Sequence, residues 1–366
     1  MTAPSVESAP AVRPSSVGSV LVVGNFLSAS VGNRGVCEDL AERLAAAGWQ
    51  VTMTSERTGR FARLADMLRT VWARRHSYDV AQVDVYSGPA FFWAGIVCLF
   101  LRCLGKPYIL TLHGGNLPAF SERWPGMVGS LLASAATVTV PSGYLLERMR
   151  RFRADLRLLP NAVDISNYPF RLRESLRPRL VWVRAFHRIY DPSQAVRVIA
   201  RLLPEFPGVE LAMVGPDKKD GSLEAASALA ETLNVTTRIQ HVGRVAKTEV
   251  GQWIDRGDIF LNTSTIDNNP VTLLEAMACG ACVVSTNVGG IPYTAEHGVD
   301  ALLVPPGDTE AMANSVAMLL RRPDMALALS RNARSKAESF DWGSILPEWQ
   351  SLLATTIHKQ NGVTPS

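Results

Sequence analysis

The sequence predicts an α/β protein built as two Rossmann-like halves. Short β-branched runs alternate with amphipathic stretches twice over, once before residue 160 and again after residue 178. Such alternation gives parallel sheets covered by helices on both faces. Between the two series, residues 160–178 (PNAVDISNYPF and then an Arg-rich run) lose that periodicity, as a connection between domains does. The length of 366 residues suits two domains of ordinary size.

The first series opens with SVLVVG at 19–24, read as a buried strand, and a turn holding Gly24, Gly32 and Gly35 follows. A helix over 37–47 ends at Gly48, and a second strand covers 49–54. This order is Rossmann-like, but G-x-G-x-x-G is absent, so it makes no case for a dinucleotide. Further strands are expected near 79–85, 107–112, 137–140 and 156–159. In the second series strands are expected at 180–184, 209–214, 238–242, 259–261, 282–285 and 301–304. Helices are placed at 191–203, 223–233, 247–255 and 271–279, and three more at 308–320, 324–338 and 342–358 close the chain. The resulting division is a disordered leader over 1–17, a first domain over 18–165, a linker over 166–178, a second domain over 179–340 and a C-terminal helical segment over 341–366.

Composition narrows the partners. Hydrophobic residues make up 47% and charged residues 19%, which fits a globular chain. A net charge of +4 and a pI near 8.9 suit an anionic ligand or an anionic membrane surface, and are too mild to argue for nucleic acid. Residues 1–17 lack the apolar core of a secretory signal. The longest apolar run, 89–101, is too short to span a bilayer and is read as a buried helix feeding the strand at 107. The five cysteines, Cys37, Cys98, Cys103, Cys279 and Cys282, are an odd set without framework spacing, read as free thiols in a reducing cytosol. Cys279 and Cys282 form a C-x-x-C with no second pair, split between a helix end and a strand, so no metal site is expected. Within 57–75, Phe61, Leu64, Leu68 and Val71 share one helical stripe among Arg60, Arg63, Arg69, Arg74 and Arg75; a second basic cluster covers 148–157. Packing on the chain's own sheet is the plainer reading of that stripe, and peripheral contact with an anionic membrane is the other.

The most informative stretch is DIFLNTSTIDNNPVTLLEAMACGACVVSTNVGG, at 258–290. It reads as strand, loop, helix and strand. Asn269 is expected to cap the helix and Pro270 to take its first position; Val271, Leu273, Leu274, Ala276 and Met277 carry it, and Gly280 ends it. Two acids stand out. Asp267 precedes the helix, and Glu275 lies inside it, a lone carboxylate among apolar residues. Local capping or pairing explains them as well as a ligand does, although a helix N-terminus also offers free N–H groups and a positive dipole end to an anion.

Other candidates sit where strands end, which is where open α/β sheets bind ligands. His113 follows a strand in TLHGGN, and Gly114 and Gly115 permit close approach to the backbone. Arg184 ends the first strand of the second half, in LVWVRAFHRIYDP, where it could clamp a diphosphate; Arg188 stands four residues on. Gly32 to Gly35 open the first helix. Val214-Gly215-Pro216 and Val242-Gly243-Arg244-Val245 each follow a strand.

Asp267 and Glu275, seven residues apart and followed by AMACG and VGG, resemble the acid-x7-acid segment of retaining glycosyltransferases of the GT-B fold, in the family called GT4. Asp stands where Glu is usual, and Asn269 where Gly is common. PNAVD at 160–164 is similar to the family's Pro-Asn-Gly-Val-Asp, with Ala162 for Gly. The family's Lys-Gly after the Arg is replaced by Ile189-Tyr190-Asp191. The resemblance covers nearly the whole chain after Val17 and implies a retaining, metal-independent hexosyl- or N-acetylhexosaminyl-transferase. It would need no cofactor, its co-substrate being a nucleotide sugar, a UDP-sugar before others, and its acceptor is left open. Glu275 would take the ribose hydroxyls, and Asp267 with Asn269, Pro270 and Val271 would hold the sugar. Arg184 and Arg188 would grip the diphosphate, Gly215 and Val245 would lie by the base, Gly32 by the diphosphate and His113 by the transferred sugar. The last helix would cross back to the first domain. A nucleotide-sugar epimerase or hydrolase, or a binding protein with a degenerate site, is the alternative.

Overall fold

The computed structural model describes residues 17–27 and 35–360. Of the leader expected over 1–17, residues 1–16 lie outside the described residues, and so does Gly32 of the turn that follows residues 19–23.

The first sheet collects β1 (Ser19–Val23), β2 (Gln50–Thr54), β3 (Val80–Val85), β4 (Tyr108–Leu112), β5 (Thr137–Val140) and β6 (Arg157–Leu158). Its helices are α1 (Val36–Ala46), α2 (Arg60–Ala73), α3 (Pro89–Cys103), α4 (Leu117–Arg123), α5 (Pro125–Ser134) and α6 (Gly143–Met149). All pairings are parallel, in the order β2-β1-β3-β4-β5-β6. β1 and β3 are buried along their whole length, as strands covered on both faces must be.

The second sheet holds β7 (Arg179–Val183), β8 (Glu210–Val214), β9 (Ile239–Gly243), β10 (Ile259–Asn262), β11 (Cys282–Thr286) and β12 (Leu302–Val304). Around it lie α7 (Pro192–Leu202), α8 (Ser222–Thr232), α9 (Lys247–Arg256), α10 (Val271–Ala278), α11 (Ile291–Thr294), α12 (Thr309–Arg321) and α13 (Pro323–Glu338). The order is β12-β11-β10-β7-β8-β9, again all parallel. Each sheet therefore reverses its strand order once, between β1 and β3 and between β7 and β10. The crevice outside the carboxyl ends at such a reversal is where α/β sheets take ligands.

The last helix, α14 (Trp342–Gln360), belongs to the first domain's core. Trp342, Ile345, Trp349, Leu352 and Leu353 are buried with Val20, Val22, Leu40, Leu44 and Val80. The two connections between the halves run side by side: the Val163 N–H donates to the Phe340 carbonyl at 2.9 Å, and Val163 bridges Asp341.

Three expectations need correction. The 89–101 helix is buried on one side only. Phe91, Ala94, Val97 and Leu101 face the sheet, while Phe92, Ile96 and Leu99 are exposed. Phe61 leaves the predicted stripe of α2 and is 87% exposed, because the buried line there runs through Met67 and Val71. The basic run after residue 170, expected as part of a linker without regular structure, is not loose. Arg173 is fully buried, paired with Asp255 at 3.0 Å and donating to the Gly257 carbonyl at 3.1 Å, so this stretch is fastened to the second domain.

Candidate active site

Arg184 and Asp267 meet at the reversal of the second sheet. Arg184 follows β7 and Asp267 lies in the loop after β10, so the β7–β10 pairing brings them together. Arg184 Nη2 donates to Asp267 Oδ2, and both side chains are largely buried. The guanidinium lies over the Tyr190 ring, 4.8 Å from its centre, and its Nε–H is buried without a hydrogen-bond partner. The loop is stitched in place: the Thr265 N–H donates to the Ile189 carbonyl at 2.7 Å, Thr263 Oγ1 to the Tyr190 carbonyl at 2.6 Å, and Thr286 Oγ1 to the Ser264 carbonyl at 2.6 Å.

The α10 helix explains why it carries a carboxylate. It is packed in a core that includes β7, β10, β11 and α13, which accounts for its apolar sides. Glu275 is 1% exposed. One carboxylate oxygen, Oε1, accepts from the Tyr168 hydroxyl at 2.8 Å and from Lys247 Nζ. The other, Oε2, is buried with no hydrogen-bond partner. Burial first, and then the neighbouring Glu275 charge, push the Tyr168 phenol well above its ordinary value, which keeps it a donor. Glu275 and Val271 border a cleft of about 400 Å³ whose walls also include Arg43 of α1, Asp164 and Tyr168 of the connection, Lys247 of α9 and Trp342.

The helix begins differently from the expectation. Pro270 is the capping residue and Val271 the first helical one. Asn269 does not cap. Its Nδ2 donates to the Pro141 carbonyl of the first domain at 2.9 Å, and its Oδ1 accepts from Thr294 at 3.4 Å. Asn268 accepts from Ser142 in the same way. These polar side chains join the domains instead of finishing the helix. Gly289 and Gly290 make room: a Cβ on Gly290 would lie 1.5 Å from the Asn268 carbonyl, and one on Gly289 would lie 1.8 Å from that of Asp267.

The first domain brings its own strand ends to the same place. His113 follows β4, with its Nε2 2.9 Å from Asp84 Oδ1 of β3 and its ring stacked on Tyr86 at 4.9 Å. Gln82 donates to the same Asp84 oxygen at 2.8 Å and to Thr111 at 2.8 Å. The Tyr86 phenol is raised well above its ordinary value, by burial and then by Asp84. Beyond His113, Gly115 touches the Asp267 loop: a Cβ there would stand 3.1 Å from the Asp267 carbonyl carbon. The chain positions of His113, Asp267 and Arg184 thus converge between the two sheets.

The remaining candidates divide. Gly215 follows β8 with φ of +149°, and a Cβ would come within 1.8 Å of the Arg184 carbonyl, so glycine here is what lets the Arg184 loop sit down. Val245 is half-buried against the core that holds α10. Arg188 lies beside Asp220: its backbone N–H donates to Asp220 Oδ2 at 2.8 Å, and its side chain is 75% exposed with Nε 3.4 Å from the same oxygen. The cation that does reach Glu275 is Lys247. Neither Lys247 nor Tyr168 is marked in the sequence, since each stands in an ordinary local context and their meeting at Glu275 spans 28 and 107 residues.

Comparison with known proteins agrees with this geometry. Residues 35–167 match the family model described as glycosyltransferase family 4, and residues 177–322 match the one described as glycosyl transferases group 1. The D-inositol 3-phosphate glycosyltransferase of Saccharomonospora viridis is 32% identical over 158 residues, which is 41% of this chain and 36% of that protein. The chain spans little more than a third of the length of such relatives. The N-acetyl-alpha-D-glucosaminyl L-malate synthase of Bacillus anthracis is 25% identical over 299 residues, covering 76% of this chain and 75% of that protein. Among solved structures, sucrose-phosphate synthase from Thermosynechococcus elongatus superposes with a TM-score of 0.78 at 20% identity, covering 92% of this chain and 98% of its own. Anabaena HepE in complex with UDP and glucose gives 0.73 at 18% identity, covering 92% and 100%. The two matched segments, the paired parallel sheets and the order of motifs together place this chain in the group 1 glycosyltransferases of family GT4, with the GT-B fold.

Proposed function

We propose that this chain transfers a sugar, with retention, from a nucleotide-sugar donor held in the cleft between its domains. The observation that carries the reading is Glu275. One of its oxygens is fixed by Tyr168 and Lys247 while the other is buried without a partner on the border of the cleft. A buried acceptor left unpaired costs about 1–3 kcal/mol, and a pair of ribose hydroxyls would repay it. Arg184 offers the complementary feature, a buried Nε–H with no partner. HepE, of the same fold, is known with UDP and glucose, and a UDP-sugar is the donor proposed here.

The chemistry follows from the groups. The bond between the sugar's anomeric carbon and the diphosphate oxygen breaks, and an acceptor hydroxyl oxygen bonds to that carbon on the same face. The hydroxyl proton passes to the departing phosphate oxygen. Arg184 and the N–H groups at the start of α10 take the charge that develops there, in place of a divalent ion, in a site closed to water. Asp267 holds sugar hydroxyls once the donor draws Arg184 from it. Asp84 orients His113 toward the transferred sugar. Arg188, whose exposed side chain rests beside Asp220, would give the diphosphate its second positive charge.

Transfer from UDP-glucose and UDP-N-acetylglucosamine, tested against a panel of polyol, sugar and lipid-linked acceptors, is the assay. Glu275→Ala and Arg184→Ala should each lower transfer at least a hundredfold with an unchanged far-UV spectrum. Near-normal turnover by both would overturn the assignment.

A further inference from the structure

The first domain carries an apolar face that its own fold leaves open. On α3, Phe92, Ile96 and Leu99 follow one another at helical spacing, and each is 43% to 58% exposed. They are not scattered. Trp72 of α2 flanks them on one side, stacked on Phe100 at 6.2 Å; Trp124 flanks them on the other, set edge-on to Phe92 at 6.4 Å. Both tryptophans are about half exposed. A shallow groove of about 270 Å³ runs between α3 and α5, lined by Phe92, Ile96, Leu99 and Met127. Contiguous exposed apolar surface of this kind marks an interaction site.

Charge identifies the occupant. Segments 60–75, 89–103 and 117–134 contain seven arginines and two acids, Asp66 and Glu122. Glu122 lies 3.8 Å from Arg151, and Asp66 accepts from Ser55. Three of the arginines border the apolar stripe: Arg75 lies over the Trp72 ring at 4.3 Å, Arg123 over the Trp124 ring at 6.0 Å, and Arg102 lines the groove. Tryptophan capped by arginine at the border of an apolar strip matches the layering of a bilayer surface, with rings at headgroup depth and guanidinium groups on phosphates. Among the described residues no helix is long and apolar enough to cross a membrane, so contact of this kind would be peripheral.

We infer that the α2–α3–α5 face of the first domain docks on an anionic lipid bilayer, with Phe92, Ile96 and Leu99 entering its interface and the surrounding arginines meeting its phosphates. The placement is directional. α3 starts just after Tyr86, which stacks on His113, so Phe92 lies at the cleft end of the patch. A docked bilayer would thus border the mouth of the cleft.

Flotation with phosphatidylcholine vesicles, with and without phosphatidylglycerol, tests this independently of transfer activity. The full chain should float with the anionic vesicles and at least tenfold less with phosphatidylcholine alone or at high salt. Ile96→Ser with Leu99→Ser should weaken flotation at least tenfold while leaving the melting temperature unchanged, since both side chains are already exposed. Absence of flotation with anionic vesicles, or flotation that the double variant does not reduce, would overturn the inference. So would a dimer in light scattering that the double variant dissolves without any vesicle binding, which would make a second copy of the chain the occupant.

Discussion

Glu275 and Asp267 were conspicuous in the sequence because each is a carboxylate in the wrong neighbourhood, and burial of one and pairing of the other give the physical reason. What the sequence could not reveal is which partners they have. Tyr168 and Lys247 reach Glu275 only through the fold, so no local spacing announces them. The Tyr168 contact is testable alone. Tyr168→Phe removes a hydrogen bond to a buried carboxylate and should cost about 1.5–3 kcal/mol in chemical denaturation. Because the folded state raises this phenol above its ordinary 10.0, the wild type holds that contribution below pH 10 and loses it progressively as pH rises further. The variant should therefore lose less stability than the wild type across that alkaline range.

At the scale of elements, both sheets were legible from alternation alone, and every expected strand is present within a few residues. The errors lie where tertiary contact overrides local chemistry. Asn269 has the type and place of a helix cap, yet Pro141 of the other domain offers its amide a better-placed carbonyl. The run at 89–101 is apolar enough for full burial, but a helix lying on one face of a sheet can bury only one side. Arg173 sits in a basic stretch that reads only as a connection between domains, and Asp255 with nearby main-chain carbonyls fixes it in a buried place. Arg173→Ala removes a fully buried guanidinium from Asp255 and from the Gly257 carbonyl and should cost about 3–5 kcal/mol. The Asn268 loop makes a steric prediction. Gly290→Ala forces a Cβ against the Asn268 carbonyl and should cost about 1–3 kcal/mol, with weaker UDP binding because the Asp267 loop must move.

At the scale of the whole molecule, two connections side by side join the domains, and α14 completes the core of the first one. Trp349→Ala should cost about 3–5 kcal/mol and lower the first domain's melting transition. Domain closure is what unites the rest: Gly115 against the Asp267 loop, Ser142 on Asn268 and Tyr293 on Glu147 draw His113 toward Arg184 and Asp267. The claim on which the proposed transfer depends is that a nucleotide donor occupies this cleft with its ribose on Glu275. Calorimetric titration of UDP into the wild type and into Glu275→Ala addresses it without knowledge of the acceptor. The wild type should bind saturably, with affinity at least tenfold tighter than the variant; equal affinity for both proteins would contradict the placement of the donor.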